Sequence, residues 1–208
     1  MQSKYKETTF KKVCEMFKEI EETSARNDMT YILADFYAQL KETDAEILSY
    51  LILGRIAPPF VPVEFNYSEK SLVNLMSQYI KANGLNLDIR KKRNELGDIG
   101  ETVEFFALSG KFSSEEKTLL QVYELLWEIM NITGTGSVER KNTLILQSLK
   151  SFSPLEAKYF VRIICGELRF GVSAKTLLDV FSFVVCHDKS LREELDRAYG
   201  VCTDIGYI

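Results

Sequence analysis

SPLEAKYFVRIICGELRFGVS, residues 153–173, is the stretch that decides the fold. It opens with Ser-Pro-Leu-Glu, in which the serine can cap a helix, the proline suits the first helical position and the glutamate suits the third. We predict a helix from there to Leu168, because apolar residues recur at helical spacing. Residues 169–173 contain a glycine and break this helix before another apolar helix begins. The pattern predicts helices joined by tight glycine turns.

Helical periodicity recurs along the rest of the chain. Phe10, Val13, Phe17 and Ile20 lie on one face of a helix predicted over residues 8–22. Further helices are predicted at about residues 28–40, 43–53, 68–83, 102–108, 113–132, 137–149, 173–186 and 189–199. We therefore predict an all-α fold of about twelve short helices.

Residues 57–62, Ala-Pro-Pro-Phe-Val-Pro, form an extended connector, since consecutive prolines cannot continue a helix. A lobe division near residues 57–66 is compatible with this connector, although its apolar character favours packing over a free linker. Strand patterns are nearly absent, and Val61–Phe65 is the one short candidate. We predict that residues 1–208 form one domain.

The charge is unevenly distributed. The whole chain carries −4, whereas residues 133–176 contain seven basic and three acidic residues and carry +4. A second basic cluster, Arg90–Arg93, precedes a pair of glycines. A local basic surface on an acidic protein keeps nucleic acid among the expected partners.

Several classes of protein find no support in the sequence. The single histidine, His187, follows an apolar run and is interpreted as a helix-end residue, so catalytic triads and histidine-rich metal sites are excluded. The four cysteines are too far apart for a zinc site or a redox pair, and we interpret them as reduced thiols. No apolar stretch is long enough to cross a membrane. P-loop and Gly-x-Gly-x-x-Gly motifs are absent.

Three segments share an apolar helix, a tight glycine turn and a new helix: residues 96–101, 132–137 and 168–173. Glycine lets the backbone approach a ligand closely, and the first amides of the next helix lack partners within the helix. Hydroxyl and cationic side chains accompany two of these turns: Ser137, Arg140, Lys141, Arg169, Ser173 and Lys175. We interpret the turns as helix–hairpin–helix-like sites for phosphate.

Two further places are weaker candidates by themselves. At the Gly97–Gly100 turn, Asp98 and Glu101 would repel phosphate unless the Arg90–Arg93 cluster compensates. The polar loop at Thr23–Arg26 offers two hydroxyls and one cation.

Taken together, the segments resemble the N-terminal DNA-binding domain of archaeal and eukaryotic ATP-dependent DNA ligases. The matching stretches, in order, are residues 23–30 with 33–36, 57–60, 97–100, 134–137 with Lys141, 156–159 running into 168–172, and 198–199 with 204–206. Any one motif is modestly specific, whereas the ordered set is strong.

The resemblance implies that the parent protein seals nicks in DNA during replication, repair and recombination. In that family ATP adenylates the lysine of a Lys-x-Asp-Gly motif, and Mg²⁺ assists. This sequence has no Lys-x-Asp-Gly, so we expect no catalytic residue, ATP site or metal site in it, and no ligase activity from it alone. The nucleotidyltransferase and OB-fold domains are predicted to be absent from this chain.

The resemblance also implies a compact, two-lobed, pseudo-symmetric helical domain that binds the minor-groove backbone of nicked duplex DNA. The implied DNA-binding residues are Thr23, Ser24, Arg26, Gly97, Gly100, Gly134, Gly136, Ser137, Arg140, Lys141, Arg169, Gly171, Ser173 and Lys175. The expected partners are nicked DNA and the catalytic domains of the same ligase, and a sliding clamp is compatible with the family. The expected location is the nucleoid of a prokaryote or the nucleus of a eukaryote.

Two other classes stay open at this point. A helical protein-interaction scaffold would fit the acidic composition and would not bind DNA. A helix–hairpin–helix enzyme, such as a DNA glycosylase or lyase, would need a catalytic Lys/Asp pair, and the sequence nominates none.

Overall fold

The computed structural model describes residues 7–109, 115–168 and 170–208. These residues form eleven helices: α1 (Phe10–Glu21), α2 (Arg26–Tyr37), α3 (Glu42–Leu51), α4 (Glu69–Ala82), α5 (Ile89–Leu96), α6 (Ile99–Ser109), α7 (Leu119–Asn131), α8 (Ser137–Ser151), α9 (Pro154–Cys165), α10 (Ala174–Cys186) and α11 (Arg192–Val201). The described residues contain one isolated bridge, between Thr9 and Thr118, and no strand. The predicted all-α class is confirmed.

The predicted start of α9 is correct, but its predicted end is wrong. The Ser153 side chain accepts from the Glu156 amide, and the Glu156 side chain accepts from the Ser153 amide, so the two residues form a capping box. The helix ends at Cys165 because Gly166 adopts a left-handed φ of 70°. The prediction continued the helix to Leu168 because it assigned the break to the next glycine along the chain.

Other helix boundaries also differ from their predictions. The long helix predicted from Ser113 begins at Leu119, after Thr118 and Gln121 exchange side-chain and backbone hydrogen bonds of 2.9 and 3.2 Å. Ser113 itself lies outside the described residues. Helix α5 was not predicted, since Ile89 is its one buried residue and no apolar stripe marks it.

The chain divides into two compact units. Unit 1 contains residues up to Val63, Lys117–Tyr123 and residues from Leu168 onward. In this unit α2 packs against α1 and α10, and α10 also packs against α11. Rings pack at Phe17–Phe170, with centroids 4.8 Å apart, and at Tyr37–Phe181, 5.4 Å apart. Unit 1 therefore has an aromatic core shared by three helices.

Unit 2 contains Glu64–Glu116 and Glu124–Glu167. Its principal packing is between α6 and α9, and α5 packs against α6 and α4. Every residue from Glu156 to Ile164 of α9 is buried, so this helix is surrounded on all sides. Three of its buried residues, Glu156, Lys158 and Arg162, are charged, and their partners therefore decide how the unit is held together. The assignment of residues 1–208 to one domain stays a prediction.

The remaining general predictions can be compared directly. All four cysteines are free thiols, and Cys14 is buried. His187 ends α10 in a left-handed conformation, in agreement with its interpretation as a helix-end residue. No helix among the described residues is long and apolar enough to span a bilayer.

Candidate nucleic-acid interface

The loop between α1 and α2 carries the predicted contacts Thr23, Ser24 and Arg26. Thr23 Oγ1 donates to the Glu19 carbonyl at 2.7 Å, so its hydrogen already serves the end of α1. Ser24 and Arg26 are exposed. Arg26 is the first residue of α2, and the preceding Ala25 makes no side-chain capping bond. The loop thus offers one exposed hydroxyl and one exposed cation, one hydroxyl fewer than expected.

The entry to α10 places Gly171, Ser173 and Lys175 on an exposed turn. Gly171 has a φ of +69°, and nothing lies within 4 Å of a β-carbon added there. Ser173 Oγ accepts from the Thr176 amide at 3.2 Å, and Thr176 Oγ1 accepts from the Ser173 amide at 3.3 Å. This reciprocal cap fixes the start of the helix and leaves Lys175 exposed. The predicted contact Arg169 lies outside the described residues.

The turn between α5 and α6 is organised by Asp98. Gly97 ends α5 with a left-handed φ of 75° and is exposed. Asp98 Oδ1 accepts from the Glu101 amide at 2.7 Å, and the Asp98 carbonyl accepts from Thr102 Oγ1 at 2.6 Å. Asp98 is therefore a helix-capping residue, which explains why an acidic side chain stands in a turn predicted to bind phosphate.

Arg162 of α9 is the partner that sequence reasoning missed at this turn. Its Nη2 and Nε atoms lie 3.0 and 3.2 Å from Asp98 Oδ1. Gly100 is buried, and a β-carbon added there would lie 2.6 Å from Arg162 Nε. Gly100 therefore gives Arg162 room to reach Asp98, and its contact with DNA stays a prediction. No local pattern links Arg162 to a residue 64 positions earlier.

The turn between α7 and α8 has two exposed glycines. Gly134 and Gly136 have φ values of +80° and +71°, and a β-carbon added at either would meet nothing within 4 Å. The Ser137 amide donates to the Gly134 carbonyl at 3.1 Å and begins α8. Arg140 Nη2 donates to the Thr133 carbonyl at 2.7 Å, and the Arg140 side chain is exposed. The turn therefore combines open backbone with a cation lying across it.

Lys141 has a different position from the one predicted. It is 4% exposed, and its ammonium group donates to the carbonyl of Phe65. Burial lowers the pKa of Lys141. The neighbouring Asn142 accepts from the Tyr67 hydroxyl at 2.6 Å. Lys141 therefore binds the 65–67 segment to α8, and its contact with phosphate stays a prediction that this buried position does not favour.

Unit 1 carries two of the predicted sites on packed helices. Phe170, beside Gly171, packs on Phe17 of α1. Tyr31 of α2 contacts Phe183, which lies near the end of α10 opposite its entry. Both sites therefore lie on unit 1.

The basic cluster before Gly97 is engaged elsewhere in unit 2. Arg93 binds both carboxylate oxygens of Glu69, with Nε 2.5 Å from Oε1 and Nη2 3.0 Å from Oε2. Arg90 and Lys92 each bond to a neighbouring side chain. Arg93 also interacts electrostatically with Asp98, whereas the direct ion pair of Asp98 is with Arg162.

Glu167 joins the same group of charges. Burial raises the pKa of Glu167, and the nearby carboxylates of Glu69 and Asp98 raise it further. The hydrogen bond to Glu69 raises the pKa of Arg93. The acidic side chains near the α5–α6 turn are therefore paired with two arginines: Glu69 with Arg93, and Asp98 with Arg162.

Another surface of unit 1 does not suit DNA. A groove of about 470 Å³ between α1 and α2 is lined by Ile32 and Phe36, together with Glu15, Glu19 and Asp35. Its three carboxylates would repel phosphate. The groove is therefore acidic, whereas the two turns of this unit carry the exposed cations Arg26 and Lys175.

Candidate metal-ligating side chains do not cluster among the described residues. No three of their His, Cys, Asp or Glu side chains cluster in the way that a metal ion requires. The whole sequence lacks Lys-x-Asp-Gly.

The fold and its turns define an all-helical protein with several helix entries led by exposed glycines. The sequence model of the family described as DNA ligase N terminus matches residues 9–182. The chain therefore belongs to this DNA ligase N-terminal family.

Curated relatives agree with this assignment. A protein named "Probable DNA ligase" from Dictyoglomus turgidum is 35% identical over 199 residues, which are 96% of this chain and 33% of the relative. "DNA ligase 1" from Methanosarcina mazei is 31% identical over 198 residues, covering 95% of this chain and 33% of that protein. "DNA ligase" from Saccharolobus solfataricus is 31% identical over 210 residues, covering 96% and 35%. The chain thus spans about a third of the length of the relatives it matches.

Proposed function

We propose that the chain binds nicked duplex DNA through the phosphate backbone, independently of base sequence, as the DNA-binding part of an ATP-dependent DNA ligase. The observation that carries the proposal is the exposed, open backbone at Gly97, Gly134, Gly136 and Gly171, each beside the start of a helix. A β-carbon added at any of them would meet nothing within 4 Å, so a phosphate can approach the backbone closely.

Exposed cations accompany three of the predicted sites. Arg26 begins α2, Arg140 lies across the α7–α8 turn and Lys175 lies in the first turn of α10. Ser24 and Ser173 add exposed hydroxyls. Contacts of this kind position a protein on the duplex and carry no base information, so they support binding without sequence preference.

Membership of the DNA ligase N-terminal family supports the role in nick sealing. On this proposal the whole protein uses ATP and Mg²⁺, and the residues that hold them lie outside the part of the chain described. Its partners are nicked DNA and the catalytic domains of the same ligase. Its location is the nucleoid of a prokaryote or the nucleus of a eukaryote. A sliding clamp is a further partner compatible with this role.

Binding of the 208-residue chain to labelled duplexes tests the proposal. Matched nicked and intact duplexes of several unrelated sequences are titrated between 50 and 200 mM salt. We expect tighter binding to nicked DNA, equal affinities across sequences, and a linear fall of log K with log salt at about 0.9 per phosphate contact. A DNA affinity that does not depend on salt concentration, or that depends on base sequence, would contradict the proposal.

Substitution of the exposed cations assigns the effect to the turns. Arg140→Ala and Lys175→Ala should each weaken binding to all duplexes about equally. Lys12→Ala is the matched control, because Lys12 is also exposed but lines the acidic α1–α2 groove. Equal losses in all three variants would indicate a diffuse charge effect and would contradict the assignment to the turns.

A further inference from the structure

The Gly97 turn presents an electrostatic difficulty for phosphate binding. Gly97 is exposed, yet the next residue is Asp98, whose carboxylate is only partly covered, with 25% of the side chain exposed. A phosphate held at Gly97 would therefore lie within one side-chain length of a negative charge. An unpaired carboxylate there would oppose the binding for which the open backbone is suited.

Arg162 removes this difficulty. Its side chain is 8% exposed, and two of its nitrogen atoms lie 3.0 and 3.2 Å from Asp98 Oδ1. The same carboxylate oxygen accepts from the Glu101 amide at 2.7 Å. The guanidinium group thus offsets the charge of the capping residue without disturbing its cap.

The position of Arg162 is itself fixed. Its carbonyl accepts from the Glu167 amide at 2.8 Å, at the end of α9, and its guanidinium lies over the Tyr159 ring at 5.6 Å. Gly100 admits the side chain, since an added β-carbon would lie 2.6 to 2.9 Å from three of its atoms. The Tyr159 ring and Gly100 therefore border the arginine side chain where it meets Asp98.

We propose that Arg162 is a positioning residue for DNA binding, which neutralises and fixes Asp98 so that the Gly97 turn can accept a phosphate. This inference rests on the proposed function, since it concerns one of the turns assigned to DNA. Arg162 itself is buried and acts through Asp98 rather than by touching DNA.

Charge exchange within the pair separates this role from a merely structural one. Both Arg162→Met and Asp98→Asn break the same ion pair, so a purely structural pair predicts similar losses of affinity. Neutralisation predicts opposite results. Arg162→Met leaves the Asp98 carboxylate without its ion-pair partner and should weaken binding about tenfold, whereas Asp98→Asn keeps a capping side chain, leaves the arginine cation, and should bind at least as tightly as the parent chain.

The double variant completes the test. Arg162→Met with Asp98→Asn has neither charge and should recover an affinity within about threefold of the parent chain. Salt titrations of all four proteins, below the melting temperature of each, should show that the slope of log K falls only in Arg162→Met. Equal losses in the two single variants, or a double variant as weak as Arg162→Met, would overturn the inference.

Two controls keep the outcome interpretable. If Arg162→Met fails to fold, the DNA affinity of Asp98→Asn alone tests the inference. A purely structural ion pair predicts that Asp98→Asn binds DNA more weakly than the parent chain, whereas neutralisation predicts that it does not. DNA binding by the parent chain that is independent of salt would instead contradict the proposed function. If the parent binds DNA in a salt-dependent way and Asp98→Asn binds poorly, only the role of Arg162 is contradicted.

Discussion

Lys141 of α8 donates a hydrogen bond from its ammonium group to the backbone carbonyl of Phe65, and only 4% of the lysine is exposed. A lysine about one turn into a helix that follows Gly134-Thr135-Gly136 has the sequence context of a phosphate ligand. In the structure, Lys141 instead binds the 65–67 segment to α8. Charge and spacing alone could not separate these two roles.

The first prediction is that Lys141 contributes to the stability of the fold and Lys175 contributes to DNA binding. Lys141→Ala leaves the Phe65 carbonyl without this donor, and we expect the free energy of unfolding to fall by about 1–3 kcal/mol with no change in the salt slope of DNA binding. Lys175→Ala should leave stability nearly unchanged and reduce the slope by about 0.9. Denaturant unfolding and salt titration of both variants measure the contrast. A reduced slope in Lys141→Ala would restore Lys141 as a phosphate contact.

The second prediction concerns the conformation of Gly136, whose φ is +71°. Gly136→Ala should cost about 1–2 kcal/mol of stability, because alanine is strained in the left-handed region. Gly136→Asn should cost less, since asparagine tolerates that region better. Both add a side chain where nothing lies within 4 Å, so both should weaken DNA binding by several-fold. Normal affinity in a stable Gly136→Asn variant would show that phosphate does not approach this backbone.

The sequence predicted elements whose determinants are local. The capping box at Ser153 and Glu156 and the apolar stripe of α1 both lie within a few residues, and both predictions agree with the structure. Helix α5 was not predicted because it lacks an apolar face. Its start is instead marked by Asp88, whose side chain accepts from the Arg90 and Lys91 amides. The Asp88 cap was the signal available in the sequence.

The candidate site shows the same limit. The glycine turns could be located from the sequence because glycine and helix periodicity are local signals, and Gly97, Gly134, Gly136 and Gly171 all have positive φ. The pairing of Arg162 with Asp98 could not be located, because tertiary packing of α6 against α9 brings them together. Gly100 was therefore interpreted as a ligand-facing residue although it faces an arginine.

The third prediction concerns the contact that holds residues 204–206 in unit 1. Tyr50 donates from its hydroxyl to Asp204 Oδ1 at 2.7 Å, and a β-carbon added at Gly206 would lie 2.6 Å from that hydroxyl oxygen. We expect Tyr50→Phe to cost about 1.5–3 kcal/mol, as for a hydrogen bond to a charged group. Gly206→Ala should displace the ring and give a similar loss.

Amide hydrogen exchange over residues 204–208 provides the measurement. Exchange should accelerate there in both Tyr50→Phe and Gly206→Ala. Gly200→Ala is the matched control, because a β-carbon at this helical glycine meets nothing within 4 Å, and it should stabilise α11 by about 0.5–1 kcal/mol. Unchanged exchange in Gly206→Ala would show that the ring moves aside freely.

The fourth prediction concerns pH and Glu167, whose pKa is raised by burial and by the carboxylates of Glu69 and Asp98. Between the ordinary glutamate pKa of about 4.3 and its raised native value, the folded chain binds more protons at this site than the unfolded chain. The contribution of Glu167 to stability therefore falls as the pH rises through this window. Glu167→Gln removes the titration and keeps a hydrogen-bond donor for Glu69, so the variant should gain stability relative to the parent as the pH increases.

Urea unfolding of the parent and Glu167→Gln at steps from pH 4 to pH 8 measures this difference. Glu64→Gln is the control, because Glu64 is an exposed glutamate in the same unit. We expect the stability difference for Glu167→Gln to be small at pH 4, to favour the variant at pH 8, and to exceed the corresponding change for the exposed Glu64→Gln variant. A difference that does not vary with pH, or that favours the parent at pH 8, would show that Arg93 stabilises the Glu167 carboxylate more than burial and the neighbouring carboxylates destabilise it.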